Sequence, residues 1–441
     1  MKAISIRMRL HRLAVFAAAG LAAVFAASTS SAQMTNFQDL FRPDFEPKDR
    51  AIMEKWLQFD DGQKDEVSTM IEIYREDLSR GIEQLREQWI EKRGELENAN
   101  ADNVLKMIFG PIEDWSRKKE QMRQQFIDDL RTIVLTPHQQ EVWPRVEREL
   151  NRMKYLTTRG ELSGESVDLF TLLRSDMGMS DDEIGSLPVL VEYEVAMDEA
   201  VKARNRALLD SDRQAMGAIQ SRGEESGEFR AAVERLIGTR VAVRDINEMY
   251  ATKVAEILPP RKAAEFTEAF REKAYPRVFR TTRVERLFKA AMEHPAVPSE
   301  KQPEVVSLYR KFQEEMKQLN ENLIAASRVA EPQRERAEAE AYRQRIQATE
   351  RTTSRRRAED PMREEFRKRD EAENRYLMDL SVVLGDEVFE QLPGATKGAP
   401  RSADRFEPGR VGENVSSGDR APVVAPPTQE SDESPPNRSG L

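Results

Sequence analysis

The sequence predicts an all-α protein: an elongated array of about three divergent long-helix hairpin units, preceded by an export signal and followed by a disordered tail. Three observations carry that expectation. Apolar residues between 48 and 392 recur at helical spacing, with almost no strand alternation. Charged residues are 34% of the 441 and aromatic residues only 7%, which suits long charged helices better than one thick core. Tyr74, Tyr193 and Phe312 stand 119 residues apart in both steps, each followed four residues later by Leu78, Met197 or Met316, as three copies of one unit would be.

The first element, residues 1–32, reads as a signal peptide. Lys2, Arg7, Arg9 and Arg12 precede an apolar run from Leu13 to Ala27, and Ser30 and Ala32 fill the small-residue cleavage positions. The run has 15 residues, against the roughly 20 needed to cross a bilayer, so cleavage after Ala32 and a periplasmic or secreted location are expected. No cysteine follows to carry a lipid anchor, and no later run approaches spanning length. Cleavage removes four basic residues and no acidic one, taking the net charge from −10 to −14. A chain so acidic is a poor partner for nucleic acid or anionic lipid, whose phosphates need a basic surface.

Unit one spans 33–159. Its stripe is Val67, Met70, Ile71, Tyr74, Leu78, Ile82, Leu85 and Trp89. Asp60 and Gln63 form a capping pattern at its first long helix, and Thr136, Pro137 and Gln139 form another late in the unit. Unit two spans 160–285 and begins with a linker, Gly160–Gly164. Ser180 and Glu183 are expected to open its first long helix, which carries Val189, Leu190, Tyr193, Met197 and Val201. Residues 211–228, with Gly217, Gly223 and Gly227 among charges, read as a hairpin-tip loop. Unit three spans 286–392 behind a linker near Glu293–Pro298. Ser299 and Gln302 give its opening cap, Leu308, Phe312, Met316, Leu319 and Leu323 its stripe, and Asp360-Pro361 its second helix. Residues 328–358 are expected to be too polar for good burial, and Arg355–Arg357 reads as a solvated helix end. A late marker recurs as Ile133–Pro137, Glu256–Pro260 and Val382–Asp386, each followed by a short helical stretch ending at Trp143-Pro144, Tyr275-Pro276 or Leu392-Pro393. From 393 to 441 proline, glycine and serine dominate, and a disordered tail is expected.

No catalytic, cofactor-binding or metal-ligating residue is assigned, and no cofactor is expected. The absence of cysteine excludes disulfide scaffolds and thiol chemistry. Only His138 and His294 remain after residue 32, both read as surface residues, and no phosphate-loop or dinucleotide fingerprint occurs. Ser163 sits one place too late in Gly160–Gly164 for a nucleophile elbow. The carboxylate pairs Asp60-Asp61, Asp128-Asp129, Asp181-Asp182 and Glu314-Glu315 are neighbours on helices, where adjacent side chains do not converge.

Leu135-Thr136-Pro137-His138-Gln139 resembles the Leu-Thr-x-x-Gln motif of the Spy/CpxP-like group of small periplasmic helical-hairpin proteins. The resemblance implies a periplasmic stress or chaperone-type protein whose hairpins cradle unfolded clients without nucleotide. It carries no binding residues over to this chain. The functional expectation is an exported, non-enzymatic helical protein, a periplasmic client-binding or envelope-stress protein whose partners are other proteins or unfolded clients. The alternatives are a structural or scaffolding protein that holds a fixed envelope partner through its helices or tail, and an enzyme.

Overall fold

The computed structural model describes residues 41–98, 101–156, 161–220, 226–347 and 361–395. The signal peptide, Arg355–Arg357 and the expected tail from 396 onward lie outside them. Every regular element among the described residues is a helix, and none of these helices is long and apolar enough to cross a membrane. The main ones are α1 (Asp49–Leu57), α2 (Asp61–Asn98), α3 (Ala101–Asp129), α4 (Pro137–Asn151), α5 (Pro188–Gln220) and α6 (Ser226–Ile257). They continue as α7 (Pro260–Ala274), α8 (Arg283–Glu293), α9 (Gln302–Gln347) and α10 (Pro361–Leu384).

Three long antiparallel hairpins organise the chain: α2 with α3, α5 with α6, and α9 with α10. Each is clasped by an edge-to-face aromatic pair across the two helices. Tyr74 meets Phe126 at 5.6 Å, Tyr193 meets Tyr250 at 5.6 Å, and Phe312 meets Tyr376 at 5.4 Å. Such pairs add about 0.5–1.5 kcal/mol beyond the area they bury. The return helices then bury leucine or valine four residues later: Leu130, Val254 and Leu380. The buried marker leucines Leu258 and Leu384 follow eight residues after Tyr250 and Tyr376, whereas Leu135 follows nine after Phe126. The extra residue is absorbed by a π turn, Leu130–Val134, closed by Leu135 N–H donating to the Leu130 carbonyl at 3.0 Å.

The cores cross the expected unit boundaries. Leu156, Leu323, Ile324, Ala330 and Met362 all join the cluster around Tyr193, Met197 and Phe266. The 46-residue α9 therefore runs past three apolar clusters in turn, through Phe312 and Met316, then Leu323 and Ile324, then Ala339 and Tyr342. Each fully buried large side chain in them contributes roughly 1.5–3 kcal/mol of transfer free energy.

Several local expectations are corrected. The 211–228 segment is not a loop throughout: α5 continues to Gln220 and α6 starts at Ser226, because Ala215 and Phe229 are covered by Ala339 and Tyr342. Residues 328–347 are helical and include the buried Ala330 and Glu331: Glu331 accepts from Ser163, while Glu335 and Arg336 meet Arg240 and Glu234 of α6. Ser180 and Glu183 do form a capping box, but on the single turn Asp181–Gly185, and the long helix begins at Pro188. Ser299 caps nothing: the Pro298 carbonyl closes a turn onto Lys301, and Gln302 turns its amide to the Ala291 carbonyl. Trp143-Pro144 does not end a helix, since Pro144 lies on the exposed side of α4, which runs on to Asn151. The first residues of the expected tail are held on the third core, where Ala395 is buried and Arg283 donates to the Gly394 carbonyl.

Candidate functional site

The segment read as a linker, Gly160–Gly164, runs into an enclosed stretch that continues to Asp168. Leu162, Gly164, Glu165, Val167 and Asp168 are all buried. Such a segment must satisfy its backbone groups internally; α6, α7 and α9 supply partners for them, and α5 supplies a cation for the Glu165 carboxylate. From α7, the Ala274 carbonyl accepts from Gly164 N–H at 2.8 Å. On α6, Asn247 donates to the Gly164 carbonyl at 2.8 Å and accepts from the Tyr193 hydroxyl at 2.9 Å. Burial pushes the Tyr193 phenol far above its ordinary value, so it stays a donor. On α9, Glu331 accepts from the Ser163 N–H at 2.7 Å and its hydroxyl at 2.6 Å. On α5, Arg204 meets Glu165 at 3.0 Å, with the two side chains 1% and 0% exposed. The other Glu165 oxygen accepts from the Glu161 and Leu162 N–H groups at 3.0 and 3.1 Å. Asp168 pairs with Arg152 at 3.0 Å, and that guanidinium lies over the Phe170 ring.

Gly164 is required where it stands. Its φ is +80°, a region that side-chain-bearing residues rarely adopt, and a Cβ there would lie 3.1 Å from Arg244 Cγ. Arg244 also answers a second irregularity. Pro332, inside α9, has no N–H and so leaves the Arg328 carbonyl without its helical donor. Arg244 donates to that carbonyl at 3.4 Å. One turn beyond Pro332, Glu335 is held by Arg240 at 2.7 Å. Burial, with help from Glu161, Glu165 and Glu338, pushes the Glu335 carboxyl up to about 7, and Arg240 only partly opposes this.

Two further polar joints lie on α4, one towards α5 and one towards the first hairpin. The buried Glu194 and Asp198, one turn apart on α5, receive Arg148 at 2.9 Å, Arg145 at 3.4 Å and Asn151 at 3.1 Å from α4. The Leu-Thr-x-x-Gln residues form the other. Thr136 and Gln139 complete a reciprocal capping box. Gln139 then donates to the Leu57 carbonyl at 2.8 Å and pairs with Gln63, whose amide also reaches the Val134 carbonyl at 2.8 Å. The motif thus ties together α1, α2 and the end of α3.

The residues considered for chemistry do not converge. His138 is 87% exposed on α4, and His294 Nδ1 accepts from Ala296 N–H in a turn. Asp60 caps α2, Asp61 pairs with Lys64, Asp181 with Arg174 and Glu315 with Arg375. Ser163 faces Glu331, not a histidine. Among the described residues no group of three or more histidine or acidic side chains is placed to hold a metal ion. A cavity beside Asp44, Arg123, Trp143 and Tyr155 has a volume of about 20 Å³, room for one water molecule.

Sequence reasoning missed Glu165, Arg204, Arg240, Asn247, Glu331 and Glu335. A signal was present: Arg204 continues the stripe of Tyr193, Met197 and Val201, and Asn247 falls between Val243 and Tyr250, so polar residues occupy core phase. Comparison of the chain with protein-family models, curated proteins and solved structures found no match.

Proposed function

We propose that this chain is an exported, non-enzymatic helical scaffold, built from three divergent copies of one hairpin unit, that presents its surfaces to a fixed protein partner. One observation carries the reading: charged side chains buried between elements find partners across them. Arg204 with Glu165, Glu331 with Ser163, Arg240 with Glu335 and Arg148 with Glu194 each join different elements. Paired buried charges tolerate few alternative packings, because moving one partner strands the other at a cost of about 3–5 kcal/mol. The repeat reading is supported by the three equivalent aromatic clasps and the buried residues that follow them.

A second reading, capture of unfolded clients, is favoured by exposed apolar residues on the middle hairpin. Val191 and Val195 on α5 and Met249 on α6 are 52%, 46% and 45% exposed. Photo-crosslinkers at Val191, Val195 and Met249 separate the two readings. A scaffold yields one discrete adduct and leaves aggregation of an unfolded client unchanged up to equimolar ratio. Suppressed aggregation with a ladder of adducts would replace the scaffold reading with the second.

A further inference from the structure

The helix α9 outruns its hairpin partner. Phe312 faces Tyr376 across the third hairpin, and α10 begins at Pro361, 15 residues before Tyr376. Antiparallel helices rise equally per residue, so α10 accompanies α9 only to about residue 327. The burial of Met362, at the start of α10, with Leu323, Ile324 and Ala330 agrees with that register. Yet α9 continues to Gln347.

Two contacts fix the root of this extension. Glu331 accepts from the Ser163 N–H and hydroxyl, and Glu335 accepts from the buried Arg240 through both oxygens, at 2.9 and 2.7 Å. Outward of Glu335 the support is thinner. From Gln333 to Gln344 no side chain is buried. Arg336 meets Glu234 at 2.8 Å and Glu340 meets Arg230 at 3.8 Å, with all four side chains exposed. Such exposed pairs contribute little net stability. The apolar contact is that of Ala339 and Tyr342 on Ala215, Phe229 and Val233, with the Tyr342 and Phe229 rings 6.4 Å apart. A helical stretch as short as 336–347 is marginal in water on its own. Pro332 also removes the backbone bond that would tie its root to the preceding turn.

We propose that residues 336–347 form a hinged strap: fixed at its root by Glu331 and Glu335, the strap opens as one unit from the tip of the middle hairpin and uncovers Ala215, Phe229 and Val233. The pairs Arg240–Glu335 and Ser163–Glu331 stay closed, so the hairpins keep their arrangement while the strap moves. Opening is concerted because Arg336, Ala339, Glu340 and Tyr342, three or four residues apart, share one face of α9. Leaving the seat breaks their contacts together. Simple fraying would instead loosen the helix residue by residue from Gln347 inward.

Hydrogen exchange on the full chain, read from overlapping peptides, tests the strap. The 336–347 amides should share one opening constant, about tenfold or more above those of 304–330 in the same helix. Tyr342→Ala should raise the first by about fivefold and leave the second unchanged. The cysteine-free chain allows an independent reading through Ala215→Cys, at a position 6% exposed beneath the strap. Its thiol labelling should speed up by the same factor in Tyr342→Ala, while that of Ala330→Cys, equally enclosed in the central core, should not. Protection that rises step by step from Gln347 to Arg336, or that equals that of 304–330, overturns the proposal. So does a Tyr342→Ala effect shared by both stretches, or one that leaves Ala215→Cys labelling unchanged.

Discussion

Replacing Arg204 by leucine strands the most deeply buried carboxylate described in the chain. Glu165 is 0% exposed and has Arg204 at 3.0 Å as its paired cation. At that distance and an effective dielectric constant near 20, the lost attraction is about 5 kcal/mol. The Glu161 and Leu162 N–H groups remain on the other oxygen and soften the loss. The expected destabilisation is about 3–5 kcal/mol, in line with other broken buried pairs. Urea unfolding of the full chain, followed by circular dichroism, measures it through the midpoint and slope. The reasoning makes a second demand. Glu165→Gln added to Arg204→Leu should recover at least about 1 kcal/mol, because the cost belongs to the stranded charge and the two changes share one interaction. A loss below about 1 kcal/mol for Arg204→Leu, or strictly additive losses in the pair, would refute the argument.

Three other outcomes follow from the same structure. Gly81→Ala places a Cβ 2.2 Å from the buried Trp115 ring, so α2 and α3 must separate at a cost of about 1–3 kcal/mol; an unchanged melting temperature and tryptophan spectrum would contradict the close approach. Gln139→Ala removes the amide that joins Leu57, Gln63 and Thr136, and should cost about 1–3 kcal/mol in urea, a larger loss than His138→Ala at the exposed position beside it. Burial raises the Asp44 carboxyl, but Lys119, Lys154 and the Tyr74 hydroxyl outweigh it and hold it below its ordinary value of 3.8. Its stabilisation is therefore present above pH 3.8 and lost as acid takes the pH down through the lower folded value; an acid titration should show Asp44→Asn lacking that part of the wild-type loss.

The helices were legible because their stripes are regular. Tyr74, Tyr193 and Phe312 lie in the cores, as helical spacing from Leu78, Met197 and Met316 implies. Their partners were not legible. Phe126, Tyr250 and Tyr376 follow at 52, 57 and 64 residues, since hairpin length varies while the clasp does not. The Thr136 and Ser180 caps are local and were read directly, whereas the pairing of Gln63 with Gln139 spans 76 residues and leaves no local mark. Composition misled most at the joints. Glycine and serine in Gly160–Gly164 suggested an open linker, yet Leu162 and Gly164 are buried and neighbouring helices bond the Ser163 and Gly164 backbone groups. Charge in 328–347 suggested solvation, yet Glu331 and Glu335 face Ser163 and Arg240. A sequence shows how many charges a helix carries, while the fold decides which of them meet.

The cysteine-free chain allows the central claim, one fixed arrangement of the three hairpins, to be measured directly. Spin labels on cysteines introduced pairwise at the exposed Ile73, Val191 and Val382 report distances between α2, α5 and α10. A scaffold locked by its buried polar joints gives one narrow distance distribution for each pair, and Arg204→Leu broadens those involving Val191. Broad or multiple distributions in the wild-type chain would contradict a fixed arrangement.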